Sequence, residues 1–332
     1  MRAWTLAAVI VASSLFVPGA VFAQERAPWR IGVLVWHRSP NDLQALDGIR
    51  NALRVSGRPH ALEIVEADSD EARAATLLAE LRARPVDLIF AMGTQAALLC
   101  KQHVTDLPVV FTAVTNPVES KLVPDWSGSG GNLAGNSNWI EPQTVLDVFR
   151  LAVPGLTRLG VLRSTSTGVV SAAELAAMRA LLAGSDAPKV ALHEELARDV
   201  ADLDAAVARL AAAKVEAIWI PIDFLVYENI GRVADAARAQ GVPLVSSSLR
   251  GVTEGAVAGL VVDYETLGAR AVLIALDVLE RGREPRAIPI GRMAGYQVVV
   301  NLAAARRANY EVPLPMLAVA DLILDVDPKE AR

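Results

Sequence analysis

Several short stretches carry residue types that could hold a small charged molecule. Gly93-Thr94-Gln95 follows an apolar run and opens an Ala/Leu-rich one, which reads as a strand passing into a helix. Unpaired N–H groups and the helix dipole at such a junction favour an anion, glycine allows close approach, and the Thr94 hydroxyl adds a donor. The plainer reading is that Gly93 makes the turn and Thr94 caps the helix. Thr115 and Asn116 stand after another apolar run. Asn116 precedes Pro117, which biases it toward extended backbone and would aim its amide into a cleft, unless the loop is a bare turn. Asp223 and Asp263 each close a β-branched run and offer a carboxylate to an ammonium group, although Asp is also what a helix N-cap selects. Ser246-Ser247-Ser248 adds hydroxyls at a similar position, with Ser247 as the candidate ligand contact. Trp36, Phe224 and Tyr264 offer aromatic faces for stacking, or are simply core. An anion site, an opposing carboxylate and aromatics between them would suit an amino acid or similar zwitterion.

Signatures of other chemistry are missing. His37, His60, His103 and His193 are scattered, and none stands in a metal-ligand spacing with cysteine or carboxylate. The chain has no Gly-x-Ser-x-Gly elbow, no phosphate loop and no Gly-x-Gly-x-x-Gly after a strand. Gly128-Ser129-Gly130-Gly131 reads as a hinge or turn. Neither a catalytic residue, a metal nor a cofactor is expected.

The elements that must position these residues alternate: short β-branched runs are separated by Ala/Leu/Arg-rich stretches of helical period, the pattern of βα units around parallel sheets. Strands are expected over 30–36, 62–66, 88–91 and 109–112, then over 159–163, 190–194, 217–220, 244–246 and 260–262. The two sets resemble each other. Arg30-Ile31-Gly32-Val33-Leu34 recurs as Arg158-Leu159-Gly160-Val161-Leu162, and Val86-Asp87-Leu88-Ile89-Phe90 as Val215-Glu216-Ala217-Ile218-Trp219. Leu107-Pro108-Val109-Val110 recurs as Val242-Pro243-Leu244-Val245, and Gly131-Asn132-Leu133-Ala134-Gly135 as Gly255-Ala256-Val257-Ala258-Gly259. Near-constant spacing implies a duplication. The expected fold class is α/β: two similar doubly wound parallel-sheet lobes with a ligand cleft between them, where the carboxyl ends of the strands meet. The expected division is a signal at 1–23, an N-terminal lobe at 24–120, a crossover at 121–145 and a C-terminal lobe at 146–284. Residues 285–332 form a return crossover and C-terminal segment, part of which completes the first lobe. Helical stretches at 199–213 and 264–281 read as lobe-packing helices.

Composition agrees with an exported protein. Arg2, the apolar stretch at 4–16 and Val21-Phe22-Ala23 form a cleavable signal pattern too short for a stable membrane anchor. The one cysteine, Cys100, excludes an internal disulfide and lipidation at the cleavage site, so the mature chain is expected free in the periplasm, with Cys100 a buried small hydrophobe. The 32 Lys+Arg less Arg2, against 37 Asp+Glu, give a formal charge of −6, unsuited to nucleic acid or anionic membrane. About 309 residues after position 23 exceed what one core organises.

One resemblance sharpens this. Gly93-Thr94-Gln95-Ala96-Ala97, Leu107 to Val118 with its Thr115-Asn116-Pro117, and Gly130-Gly131-Asn132-Leu133-Ala134-Gly135 resemble the ABC transporter substrate-binding family related to tryptophan/tyrosine-binding proteins. Pro221-Ile222-Asp223, Val262-Asp263-Tyr264-Glu265-Thr266-Leu267-Gly268 and the ending from Val300-Asn301-Leu302 to Ala320-Asp321 extend it over about 30–325. The resemblance implies a type I periplasmic-binding-protein fold closing on a small-molecule ligand, with an ABC transporter permease as partner; a monomer is the simplest expectation for a diffusing carrier. The alternatives are a periplasmic sensor reporting to a membrane receptor, an exported structural scaffold with an empty cleft, and an exported α/β enzyme. The sequence departs from the pattern at Trp36-His37-Arg38-Ser39-Pro40-Asn41 and at Trp126-Ser127-Gly128-Ser129. It departs again at Ser164-Thr165-Ser166-Thr167, where relatives carry an asparagine-containing loop; Ser164 and Thr165 are ligand candidates by that position.

Overall fold

The computed structural model describes residues 27–165, 168–184, 189–292 and 296–325. The expected signal at 1–23, together with Ser166 and Thr167, lies outside the described residues.

The first lobe is built from β1 (Trp29–Val35), α1 (Pro40–Val55), β2 (His60–Glu66), α2 (Glu71–Arg82), β3 (Leu88–Met92), α3 (Thr94–His103), β4 (Val109–Val114) and β5 (Leu133–Ser137). The strands form a parallel sheet in the order β2-β1-β3-β4-β5. Strands β3, β4 and β5 are buried along their whole length, as expected where helices cover both faces of a parallel sheet. The chain starts α1 through a capping box: the Asp42 N–H donates to Ser39 Oγ, the Ser39 N–H donates to the Asp42 carboxylate, and Pro40 occupies the first turn.

The second lobe contains α4 (Pro142–Ala152), β6 (Arg158–Ser164), α5 (Gly168–Leu182), β7 (Ala191–Ala197), α6 (Leu203–Ala212), β8 (Ala217–Ile220), α7 (Phe224–Glu228), α8 (Ile230–Ala239), β9 (Leu244–Ser246), α9 (Leu249–Glu254) and β10 (Ala258–Val262). Helix α10 (Tyr264–Leu279) follows, then β11 (Tyr296–Asn301), α11 (Leu302–Arg307), α12 (Leu314–Ala318) and β12 (Leu322–Leu324). The sheet order is β12-β11-β10-β9-β8-β6-β7, so β7-β6-β8-β9-β10 repeats the order of the first sheet strand for strand. The duplication expected from the sequence is therefore present in the topology. Strand β11 runs antiparallel to β10, and β12 parallel to β11.

Two helices change sides. Helix α4 follows a first-lobe strand, yet its Leu146, Val148, Phe149 and Ala152 enter the core containing Val161, Trp219 and Leu260 of the second lobe. Helix α10 follows a second-lobe strand, yet its Tyr264, Leu267, Ala271, Val272 and Ala275 enter the core of Ile31, Ile49 and Phe90. Glycines permit a close α1–α10 approach: a Cβ on Gly48 would stand 2.0 Å from the Glu265 carbonyl oxygen, and one on Gly268 would stand 1.9 Å from that of Ala45.

These placements shift the expected boundaries. Residues 121–132 stay with the first lobe, where Leu122 and Val123 join its core, and 133–137 form β5; the passage between lobes is the short segment 138–141. The 264–281 helix packs on the first lobe. Of the tail, β11 and β12 extend the second sheet, and the part that touches the first lobe is the segment around Ile290 and Gly291, whose N–H groups bond to Trp126 O and Gly135 O. Apolar pattern identifies strands and helices but carries no address for the lobe on which they dock.

Replacing Gly268 by Ala should force α1 and α10 apart and lower the unfolding free energy by about 2–3 kcal/mol in urea titration. A loss under about 0.5 kcal/mol would mean that α10 is not held against α1.

Candidate functional site

A cleft enclosing about 480 Å³ of empty space, open solvent included, lies between the lobes. Thr115 after β4 reaches it from the first lobe, and the crossover contributes Asn138, Trp139 and Ile140. The second lobe contributes Pro142 and Val145 of α4, Glu174 and Met178 of α5, Trp219 and Ile222 around the end of β8, Ser247 after β9, and Leu260 and Val262 of β10.

Most of this wall is apolar. The Trp219 ring is buried against Phe149 at a centroid distance of 5.9 Å, and its indole N–H donates to Ser247 Oγ at 2.9 Å. An ordered indole beside Met178 and Leu260 offers dispersion contact to a flat or bulky apolar group. On the first lobe, Thr94 Oγ1 accepts the Thr115 N–H at 3.2 Å, which places the start of α3 next to the cleft. Gly93 adopts φ +86°, and no side chain caps α3. The first turn of α3 is thus left without a side-chain cap, and the positive φ at Gly93 favours glycine.

The remaining expected residues are placed as follows. Gln95 lies half-buried in the first turn of α3. Trp36 packs against the first-lobe core of Leu34, Ala67 and Leu78 and does not line the cleft. Asn116 departs from the extended backbone expected before proline: its φ is +39°, and its amide turns onto Glu119, accepting the N–H at 3.2 Å and donating to Oε2 at 3.0 Å. Asp223 is fully buried and accepts from Ser164 N–H at 2.7 Å, Ser164 Oγ at 2.9 Å and Val226 N–H at 3.2 Å. Asp223 and Ser164 therefore satisfy each other inside the second lobe, away from the cleft wall. Thr165 bonds to Ala197 O at 3.0 Å. Asp263 caps α10 by accepting the Thr266 N–H at 3.0 Å and Oγ1–H at 2.7 Å. Phe224 opens α7; its side chain lies outside those described. Of the residues chosen from sequence, Thr115 and Ser247 line the cleft and Thr94 adjoins it.

Glu174 and Asn138 escape the sequence reading. Glu174 keeps some exposure toward the cleft, while protein encloses its carboxyl on the other sides; burial raises that carboxyl to about 7, opposed in part by the Ile222 N–H, which donates to Oε2 at 2.8 Å. Asn138 Nδ2 donates to Tyr264 Oη at 3.1 Å, and burial pushes the Tyr264 phenol up to about 12. Asn138 Oδ1 is buried without a hydrogen-bond partner. The available signal for Glu174 was its isolation: it is the sole acid of α5, in an Ala/Leu-rich run. Among the described residues no group of His, Cys, Asp and Glu could hold a metal ion, and no helix is long and apolar enough to cross a membrane.

Comparison with known proteins adds to this geometry. Residues 30–322 match a family described as ABC transporter substrate binding protein. A tyrosine-binding protein of Clostridioides difficile (strain R20291) is 28% identical over 218 residues, 65% of this chain and 61% of that protein; the match thus spans under two thirds of the relative's length. An uncharacterized protein of Rickettsia prowazekii (strain Madrid E) is 22% identical over 275 residues, 83% of this chain and 84% of that one. Among solved structures, an ABC domain in complex with L-Trp from Streptococcus pneumoniae superposes with a TM-score of 0.76 at 24% identity, covering 90% of this chain and 100% of the other. A ligand-free, open substrate-binding protein with adhesive properties from Clostridium difficile gives a TM-score of 0.76 at 21% identity and the same coverage. At these identities the solved structures establish a shared fold.

Two stability measurements separate the carboxylates. Asp223→Ala should cost about 2–4 kcal/mol without any ligand, because it orphans buried donors; a neutral result in urea titration would contradict the internal role. The raised Glu174 carboxyl holds a proton in the folded chain between about 4.5 and 7 that the unfolded chain has released. Its stabilising contribution is complete below that window and lost as pH rises through it. Glu174→Gln should thus stabilise the empty protein at pH 8 by on the order of 1–2 kcal/mol and leave it unchanged at pH 4. Parallel melting curves at the two pH values would show this difference.

Proposed function

The chain belongs to the family of ABC transporter substrate binding proteins, and from that premise we propose that it captures an amino acid with a large apolar side chain and delivers it to an inner-membrane importer. The observation that carries the ligand class is an apolar cleft wall, formed by Trp219, Met178 and Leu260, with the uncapped start of α3 adjoining the cleft through the Thr94–Thr115 hydrogen bond. The wall takes the side chain by burial of apolar surface. The N–H groups of Thr94 and Gln95, with the Thr115 hydroxyl, take the carboxylate, and the positive φ of Gly93 leaves the approach unobstructed. The tyrosine-binding relative and the neighbour in complex with L-Trp support the aromatic members of this class.

The protein acts by binding alone, and no bond of the ligand is made or broken. A ligand in contact with both lobes favours the closed arrangement by its differential affinity for it, and the permease reads that shape. The signal pattern at 1–23 supports export to the periplasm, and the absence of a cysteine at the cleavage position supports a free carrier.

Titration calorimetry and thermal shift with L-tryptophan, L-tyrosine, tryptamine, glucose and adenosine test this reading. The two amino acids should raise the melting temperature, by an amount equivalent to about 2.7 kcal/mol at a hundredfold excess over Kd. Tryptamine, which lacks the carboxylate, should bind at least about 30-fold more weakly, the equivalent of about 2 kcal/mol for charge-assisted hydrogen bonds. Binding of glucose or adenosine with no response to either amino acid would refute the assignment.

A further inference from the structure

We propose that Glu174 and Asn138 Oδ1 together form an ammonium-binding site at the second-lobe side of the cleft, an assignment that rests on the amino-acid reading above. The two groups lack complementary partners in opposite senses. Glu174 accepts the Ile222 N–H at 2.8 Å through Oε2, and among the described residues no Arg, Lys or His side chain bonds to it. The nearest cations in sequence are engaged elsewhere: Arg163 donates to Glu194 Oε1 at 2.5 Å and Arg179 to Glu194 Oε2 at 2.7 Å. Asn138 is 7% exposed, its Nδ2 is committed to Tyr264 Oη, and its Oδ1 meets no donor. An enclosed carboxylate without a cation and a buried carbonyl without a donor are both costly. A primary ammonium relieves both at once, since it carries positive charge and three N–H donors; a hydroxyl would serve Asn138 alone.

Position supports the assignment. Asn138 belongs to the crossover and Glu174 to α5, whereas the N–H groups offered to a carboxylate belong to α3, so an α-amino acid with its α-carbon between them addresses both lobes with its two charged groups. The groups facing Glu174 add no positive charge: Tyr227 comes from α7 and Tyr264 from α10, with Asp42 of α1 behind Tyr264, while α4 presents the apolar Val145. In the empty cleft below neutral pH the carboxyl is therefore protonated. On capture the Glu174 carboxyl gives up one proton to solvent, and the resulting carboxylate pairs with the ligand ammonium, which keeps all three of its N–H protons.

The test is titration calorimetry of the mature chain with L-tryptophan and with indole-3-propionate, which lacks the amino group, at pH 6.0 and 8.5 in buffers of differing ionisation enthalpy. We expect half a proton or more released per L-tryptophan at pH 6.0 and far less at pH 8.5, with Kd weaker at the lower pH. Indole-3-propionate should bind at least about 30-fold more weakly than L-tryptophan at pH 8.5 and release no proton. In Glu174→Gln the proton release should vanish and the preference for L-tryptophan over indole-3-propionate should be lost. Equal affinity of the wild-type chain for the two ligands, or proton release that survives in Glu174→Gln, would overturn the ammonium site and leave the amino-acid reading standing. Absence of heat with both ligands at both pH values would overturn the two together. The wild-type comparison decides the matter even if the variant fails to fold.

Discussion

The structure depends on a reciprocal exchange of helices. Helix α4 leaves the first sheet and completes the core around Trp219, while α10 leaves the second sheet and completes the core around Phe90. Each lobe is therefore unfinished without a helix supplied by the other half of the chain. The exchange is tightest where Gly48 and Gly268 bring α1 and α10 to backbone contact, an approach that no larger residue allows. Because both passages follow the last parallel strand of a repeat, they lie at the same edge of the cleft. Asn138, Trp139 and Ile140 in one passage, and Val262 at the brink of the other, line that cleft. The connections that hold the lobes together are thus also part of the cleft wall.

Within the cleft the lobes contribute different chemistry. The first lobe brings Thr115, whose N–H donates to the Thr94 hydroxyl at the start of α3 beside the wall. The second brings the apolar wall and the Glu174 carboxyl. Environment separates the buried acids of that lobe. Asp223 sits among three donors from Ser164 and Val226 and serves the fold. Glu174 has one backbone donor and an otherwise enclosed surrounding that lifts it to about 7. A carboxyl satisfied inside its lobe is a structural brace, and one left short of donors at a cleft wall is available to a ligand.

Much of the fold was legible in sequence because its signals are local and duplicated. Buried parallel strands must be continuous apolar runs, so Ile31 to Leu34 and Leu159 to Leu162 announce themselves, and the repeat announces a common strand order. Strand β5 was legible in principle from the echo of Gly131 to Gly135 in Gly255 to Gly259, but its glycines and asparagine resemble those of a loop. The site was less legible for a physical reason: an Asp between a strand and a helix is the same signal whether it caps the helix or holds a ligand. Asp223 and Asp263 both cap. Asn116 was misjudged because its side chain satisfies a tight turn at Glu119, which outweighs the backbone bias before proline.

The amino-acid sequence by itself determined that the chain builds two α/β halves of one topology, and that Gly93-Thr94 opens a helix at a strand end. These follow from hydrophobic period and local backbone preference, which act over a few residues. The tertiary structure decided which half each exchanged helix completes, which carboxylate is spent on the fold and which faces the cleft. A lone Glu in an apolar helix and an Asn in a connector reach the same cleft wall only when segments some 36 residues apart in sequence are enclosed together, because burial and the absence of a partner are properties of the assembled surroundings and not of the residue.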